Sequence, residues 1–155
     1  MNRTSIVASI LVAVVLFFAG TPVSAQDDIG LHRSCLHCGM DRKAYGFSRM
    51  LVQYADGASV GVCSLRCAVV ELDANTKRTV KAILAADRTE RVLIDAEKAV
   101  WVMGGVKRGV MTSRPKWAFG SQAAAKAFIE NYGGTIVTWS EALTAAREDL
   151  AQEVR

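Results

Sequence analysis

The sequence lacks the signatures of several large functional classes. Its 155 residues contain no phosphate-binding glycine loop, no G-x-S-x-G elbow and no H-E-x-x-H motif. The two histidines, His32 and His37, both lie near one end, so no Ser-His-Asp grouping suggests itself. With two prolines, 51% hydrophobic residues and 22% charged residues, the chain is neither disordered nor of low complexity. We therefore expect one compact binding domain that is not an enzyme.

The sequence also lacks a hydrophobic run long enough to span a bilayer comfortably, which takes roughly 18 apolar residues. Residues 6–19 form an uncharged stretch of 14 residues, preceded by the basic Arg3. A small-residue pattern that signal peptidases recognise follows and ends at Ala25. Residues 1–25 are therefore predicted to be a signal peptide that is cleaved after Ala25. The alternative is an uncleaved membrane anchor.

The predicted mature chain, residues 26–155, has little excess of either charge. Removal of Arg3 with the leader lowers the formal net charge from +4 to +3. Such a mild excess in an exported protein argues against nucleic acid as a partner. The basic residues that do cluster are Lys107, Arg108, Arg114 and Lys116. They form either a solvated loop or a docking patch for an acidic partner.

Hydrophobic periodicity predicts a similar plan in both halves of the mature chain. Strand patterns over residues 49–54 and 59–63 form a hairpin, and Ser64 then caps a helix that ends near residue 75. In the second half we predict strands over residues 91–94, 99–103, 117–119 and 135–139, and helices capped by Ser121 and Ser140.

This order of elements predicts the α+β class, with two similar small halves of antiparallel strands and packed helices. The halves are expected at about residues 34–90 and 91–145. Residues 26–31 are polar, and we expect them to be loose, as domain termini often are.

Four cysteines form two close pairs, a C-x-x-C at Cys35 and Cys38 and a C-x-x-x-C at Cys63 and Cys67. An even number of cysteines in an exported protein suggests disulfides, whereas two close pairs also suit a metal site. Cys63 and Cys67 could form a second metal site with Cys35, a disulfide with each other, or a Cys₄ zinc site with the first pair. A thioredoxin-like role is weaker, because the C-x-x-C does not open a helix after a strand.

Residues 35–40, Cys-Leu-His-Cys-Gly-Met, hold three sulfurs and an imidazole. Thiolate and thioether are soft ligands that favour Cu(I), whereas zinc prefers thiolate and imidazole. Gly39 allows a tight backbone turn, so the sulfurs of Cys38 and Met40 could face one ion. Either histidine could also ligate.

The other methionines differ in their surroundings. Met111 lies in a polar loop, where it has less reason to fill a core, and it is a candidate third ligand from the other half of the chain. Met50 and Met103 lie within strand patterns and are expected to pack in the core.

Several blocks together resemble the NosL family, the accessory proteins of nitrous-oxide reductase assembly. The resemblance covers roughly residues 34–145. Its motifs are Cys35-x-x-Cys38-Gly-Met40, Cys63-Ser64-Leu65, Gly109-Val110-Met111, Ala118-Phe119 and Phe128-x-x-x-Tyr-Gly133-Gly134.

The resemblance implies a periplasmic chaperone that delivers Cu(I) for the copper-sulfide centre of the reductase. Its partners would be the reductase apoprotein and a copper donor, and its two similar halves would be related to the fold of organomercurial lyase. The copper-binding Cys and Met of the family motif fall on Cys38 and Met40, and the later Met falls on Met111. Cys35 is a possible substitute ligand or redox partner.

The chain departs from the family pattern in two ways. It has no lipobox cysteine near the predicted cleavage site, so no stable membrane anchor is expected. Cys63 and Cys67 exceed the minimal motif, so a zinc-binding Cys₄ module stays an alternative to the copper chaperone. A thiol oxidoreductase or a lyase of carbon–mercury bonds is a further alternative, and it would need an activated thiolate.

Overall fold

The protein's structure, a computed structural model that describes residues 27–153, has four helices and seven strands in that range. In chain order they are α1 (Asp27–Leu31), β1 (Met50–Tyr54), β2 (Ser59–Val62), α2 (Leu65–Ala74), β3 (Val80–Ala86), β4 (Leu93–Asp95), β5 (Val100–Met103), β6 (Lys116–Phe119), α3 (Gln122–Tyr132), β7 (Thr135–Val137) and α4 (Trp139–Glu153). None of these helices is long and apolar enough to cross a membrane. The predicted signal peptide lies outside the described residues.

The strands form two antiparallel sheets of the same basic plan. The first has the order β2-β1-β3-β4 and the second β6-β5-β7. In each sheet a hairpin leads into a helix, and the next strand pairs with the first strand of that hairpin. The expected α+β fold with two similar halves is therefore confirmed. β4 lies beyond residue 90, the expected boundary between the halves, but it belongs to the first sheet, where Asp95 pairs with Leu84.

A single hydrophobic core joins the two halves. Buried residues from both sheets and from α2, α3 and α4 belong to one cluster. Trp101 of β5 packs against Trp139 of α4, with ring centroids 5.4 Å apart. Phe119 of β6 packs against Phe128 of α3 at 5.2 Å. Between the halves, Phe47 packs against Trp117 of β6 at 6.1 Å, so the two halves share this core.

Helices α2, α3 and α4 each begin after a hydroxyl residue, which is the predicted one at Ser64 and Ser121 but Thr138 in place of Ser140. Ser121 caps α3 by accepting a hydrogen bond from the backbone N–H of Ala124 at 3.2 Å. The expected cap at Ser140 is wrong, because α4 already begins at Trp139. Thr138 caps it instead: its hydroxyl accepts from the N–H of Glu141, and the Glu141 carboxylate accepts from the N–H of Thr138. This reciprocal pair is a capping box.

The N-terminal segment is ordered, contrary to the expectation of a loose terminus. Asp28 of α1 is 4% exposed and lies between the guanidinium groups of Arg42 and Arg49, which are 0% and 2% exposed. Its carboxylate is 2.7 Å from Arg42 Nη2 and 3.0 Å from Arg49 Nε. Arg42 also donates to the backbone carbonyls of His32 and Met50. This buried triad fastens α1 to β1 and to the segment that carries the first cysteine pair.

Candidate metal centre

Four thiols from the two sequence pairs meet at one place. The Sγ atoms of Cys35, Cys38, Cys63 and Cys67 all lie within 4.8 Å of one another. Cys38 Sγ is 3.4 Å from Cys63 Sγ, and Cys63 Sγ is 3.8 Å from Cys67 Sγ. All four are free thiols, so the pairing of Cys63 with Cys67 as a disulfide is not present.

Local backbone geometry explains how the first pair reaches the site. Residues 35–40 form a knuckle in which the N–H of Cys35 donates to the carbonyl of Met40 at 2.8 Å. The N–H of Gly39 donates to the carbonyl of Cys35 at 2.9 Å, and the φ of Gly39 is +74°, a value that glycine adopts readily. The N–H of Leu36 donates to the carbonyl of Gly61 and so fixes the knuckle to β2.

The second pair is placed by the junction between β2 and α2. Cys63 directly follows β2, and Cys67 lies in the first turn of α2. Ser64 occupies the N-cap position between them, although its side chain makes no capping hydrogen bond. Ser64 has an extended backbone, so the chain turns from β2 into α2 at this residue, and the two thiols come to lie on the same side with their Sγ atoms 3.8 Å apart. That side faces the knuckle.

The spacing of the sulfurs matches the needs of a single ion. Zn–S bonds of about 2.3 Å in a tetrahedron place sulfurs roughly 3.8 Å apart. The observed separations of 3.4 and 3.8 Å lie close to that value. The same soft donors suit Cu(I). The four thiols can therefore close around one ion of either metal with little movement.

Hydrogen bonds within the cluster set the protonation of the sulfurs. The thiol of Cys63 donates to Cys67, which lowers the pKa of Cys67 even though burial opposes the shift. The same hydrogen bond, together with burial, raises the pKa of Cys63, and burial raises the pKa of Cys38. The positive end of α2 also favours a thiolate at Cys67. These hydrogen bonds thus favour a thiolate at Cys67, and metal binding would displace a proton from each thiol that it engages.

The four sulfurs differ in their access to solvent. Cys35, Cys63 and Cys67 are at most 2% exposed, whereas Cys38 is only partly buried. Cys67, the thiol with the lowered pKa, is therefore enclosed, and the accessible thiol of Cys38 has a raised pKa. This arrangement disfavours a thiol oxidoreductase, which needs an accessible and activated thiolate. Cys38 is therefore the ligand at which an ion can enter or leave the site.

The methionine candidates occupy two different environments. Met40, two residues after Cys38, is partly buried and packs against the core. Met111 lies on the loop between β5 and β6, is 39% exposed and has a φ of +56°, an uncommon value for a residue other than glycine. Met50 is buried in the core, as predicted. Met103, which was also expected in the core, is only partly buried and lies outside the core cluster.

Neither histidine belongs to the thiol cluster. His32 Nε2 lies 2.8 Å from the hydroxyl of Ser59. His37 Nε2 lies 2.8 Å from the carboxylate of Glu71, a buried residue that the sequence analysis did not single out. The available signal was its position four residues after Cys67, which places both side chains on one face of α2.

The loop that carries Met111 is anchored on α4 by a cluster of charges. The carboxylate of Asp149 accepts hydrogen bonds from Thr112 at 2.8 Å, Arg114 at 2.8 Å and Lys116 at 2.5 Å. Arg114 also pairs with Glu148 at 2.9 Å, so two of the four clustered basic residues have carboxylate partners within the protein. Lys107 lies over the ring of Tyr132 at 4.3 Å. These contacts favour a structural loop over a docking patch for an acidic partner.

Replacement of Asp149 by Asn should destabilise the protein in a pH-dependent way. Lys116 is a buried cation, and removal of its carboxylate partner should cost about 3 kcal/mol of unfolding free energy at pH 7. Although burial opposes the shift, hydrogen bonds from Lys116, Thr112 and Arg114 lower the pKa of Asp149 below 3.8. The contribution is thus full above that value and disappears as the pH falls. Urea unfolding should show the full difference between the two proteins at about pH 5, and the difference should shrink below about pH 4 as the pH falls toward the lowered pKa of Asp149. A difference that stays constant over this range would contradict the prediction.

Comparison with known proteins places the chain in a family. The family model described as NosL matches residues 26–146, which is most of the chain. The chain belongs to the NosL family. Among solved structures, the crystal structure of the copper chaperone NosL from Shewanella denitrificans matches with a TM-score of 0.55 and 22% identity. The match covers 70% of this chain and 87% of that one and shows a shared fold. No curated protein matches this NosL-family chain.

Proposed function

We propose that this NosL-family protein is an exported chaperone that carries Cu(I) for assembly of the copper-sulfide centre of nitrous-oxide reductase. The observation that carries the proposal is the convergence of four thiols within 4.8 Å, three of them buried and one partly exposed. Soft thiolates bind Cu(I) tightly. One accessible ligand lets a partner's sulfur begin the exchange without unfolding the site.

The proposed cargo site assigns different roles to its sulfurs. Cys35, Cys63 and Cys67 hold the ion from the interior, and Cys38 is the ligand at which it enters and leaves. Met40 and Met111 are further soft ligands, an assignment that rests on the family motif. The donor would load the apo-protein in the periplasm, and the reductase apoprotein would accept the ion from it.

A structural zinc site is the second candidate, and the tetrahedral spacing of the sulfurs favours it. The two functions make different predictions. Structural zinc would be part of the fold, so its removal by a chelator should unfold the domain. A copper cargo must leave without loss of the fold.

Native mass spectrometry of the reduced mature protein with Cu(I) and Zn(II) in competition tests the choice. We expect one Cu(I) to be retained, and replacement of both Met40 and Met111 by Ala to weaken its retention. Met103→Leu is the matched control, since Met103 lies in β5 and pairs with Lys116 of β6. Retention of Zn(II) that Cu(I) cannot displace would contradict the chaperone proposal.

Delivery needs a separate experiment. Copper-loaded protein mixed with copper-free nitrous-oxide reductase should restore the absorption of the copper-sulfide centre. Free Cu(I) at the same total concentration, buffered by a chelator, is the control. Equal recovery in both reactions would argue against a role in delivery.

A further inference from the structure

Glu71 is a buried carboxylate in α2, one helical turn after the cluster residue Cys67. It is 2% exposed, and side chains from three parts of the fold surround it. The hydroxyl of Tyr54 donates to its Oε1 at 2.6 Å, and the amide of Asn75 donates to the same oxygen at 3.0 Å. Its Oε2 lies 2.8 Å from His37 Nε2. Each of these three partners can therefore donate a hydrogen bond to the carboxylate.

The chemistry of these partners defines the hydrogen bond to His37. Burial and the hydrogen bond to Glu71 raise the pKa of Tyr54 to about 12, so Tyr54 keeps its proton. A carboxylate that already accepts from a phenol and an amide can only accept from an imidazole. The proton of His37 therefore sits on Nε2. Tyr54 and Asn75 fix the orientation of the carboxylate, and the carboxylate fixes the imidazole.

The location of this hydrogen bond links α2 to the knuckle. His37 lies between Cys35 and Cys38, and Glu71 lies one helical turn after Cys67. Helix α2 consequently contacts the knuckle at two levels, through sulfur at Cys67 and through Glu71 one turn further on. Thiol–thiol contacts at 3.4 to 3.8 Å are weak, whereas a hydrogen bond to a carboxylate is one of the stronger kinds.

We propose that Glu71, acting through His37, is a positioning residue that holds Cys38 beside Cys63 before the metal arrives. It is not a ligand. The pre-formed knuckle lowers the ordering cost that binding would otherwise carry, which raises the affinity of the site. This inference rests on the proposed function only for the identity of the ion.

Replacement of His37 by Ala removes the hydrogen bond between His37 and Glu71 and so tests the positioning role. Glu71 keeps its other partners, Tyr54 and Asn75. Loss of one charge-assisted hydrogen bond should weaken metal binding about tenfold. In the apo-protein, alkylation of Cys38 by iodoacetamide should become faster by a similar factor. His37→Gln, whose amide can donate to Glu71, should recover most of both effects. His32→Ala is the matched control and should change neither, because His32 contacts Ser59 instead.

The outcomes separate a positioning role from the alternatives. Unchanged alkylation and affinity in His37→Ala would overturn the proposal. Equal losses in His37→Ala and His37→Gln would also overturn it, because they would make the imidazole itself a ligand. Glu71→Gln by itself should weaken metal binding, but it should add little further loss in a protein that already carries His37→Ala. If the losses of affinity from the two substitutions are fully additive, Glu71 does not act through His37.

The proposed function can fail while this inference survives. The alkylation measurement needs no metal, and the affinity can be measured with Zn(II) as well as with Cu(I). If the protein prefers Zn(II) but the His37 variants still show the expected effects, the copper-chaperone proposal is refuted and the positioning role of Glu71 and His37 stands.

Discussion

Asp28→Ala is expected to lower the free energy of unfolding by about 3–5 kcal/mol, because it removes the carboxylate shared by two buried guanidinium groups. Small domains are stable by only about 5–15 kcal/mol, so this loss is a large fraction of the total. Urea unfolding followed by tryptophan fluorescence measures it directly. Asp28 is the third residue of the predicted mature chain, so the effect would also show that the extreme N-terminus is structural.

Asp73→Ala provides the matched control. Its carboxylate pairs with Arg147 at 2.8 Å, but both side chains are about half exposed, at 49% and 46%. Exposed pairs contribute less than about 1 kcal/mol. If Asp28→Ala costs no more than Asp73→Ala, the buried triad does not hold α1 in solution.

Cys63→Ala is expected to weaken metal binding by on the order of a hundredfold, because Cys63 contacts both Cys38 and Cys67 at the centre of the cluster. Binding free energies of about 10–16 kcal/mol for four-ligand zinc sites correspond to roughly 3 kcal/mol for each ligand. Competition against a chromophoric Cu(I) chelator measures the affinity. The apo-protein should stay folded, since the substitution removes a single sulfur atom.

Met103→Leu serves as the control for loss of a sulfur atom outside the cluster, and its affinity should equal that of the wild type. Urea unfolding of apo-Cys63→Ala separates ligand loss from misfolding. Wild-type affinity in a folded Cys63→Ala protein would remove Cys63 from the ligand set. The ligand set would then be limited to the three other thiols and the methionines.

Most local elements follow from local sequence signals. Hairpin β1–β2, the start of α3 at Ser121 and its end near Gly133 all agree with the prediction, because turn glycines and caps act over a few residues. The misplaced start of α4 also had a local signal. Glu141 follows Thr138 by three residues, the spacing of a capping box, whereas Ser140 has no such partner at that spacing.

Two elements without a sequence signal of their own, β3 and α1, depend on distant partners. β3 was not predicted, because Val-Lys-Ala-Ile-Leu-Ala-Ala has no clear strand alternation. It becomes a strand by pairing with β1 on one side and β4 on the other. α1 has only five residues and no helix signal of its own, and Asp28 orders it by burial against Arg42 and Arg49. Sequence patterns cannot show which charges will be buried together.

The candidate metal site also has features that local sequence determines and features that depend on distant contacts. The sequence alone determined that two close cysteine pairs exist, because C-x-x-C around a glycine turn and C-x-x-x-C at a helix start place each pair by covalent geometry. Only the tertiary structure decided that both pairs meet in one cluster, with Glu71 behind it. That decision comes from contacts between residues far apart in the chain, such as the hydrogen bond from the N–H of Leu36 to the carbonyl of Gly61 and the one from Arg42 to the carbonyl of Val62. The physical reason is that backbone geometry acts over a few residues, whereas burial and sheet pairing act across the whole fold.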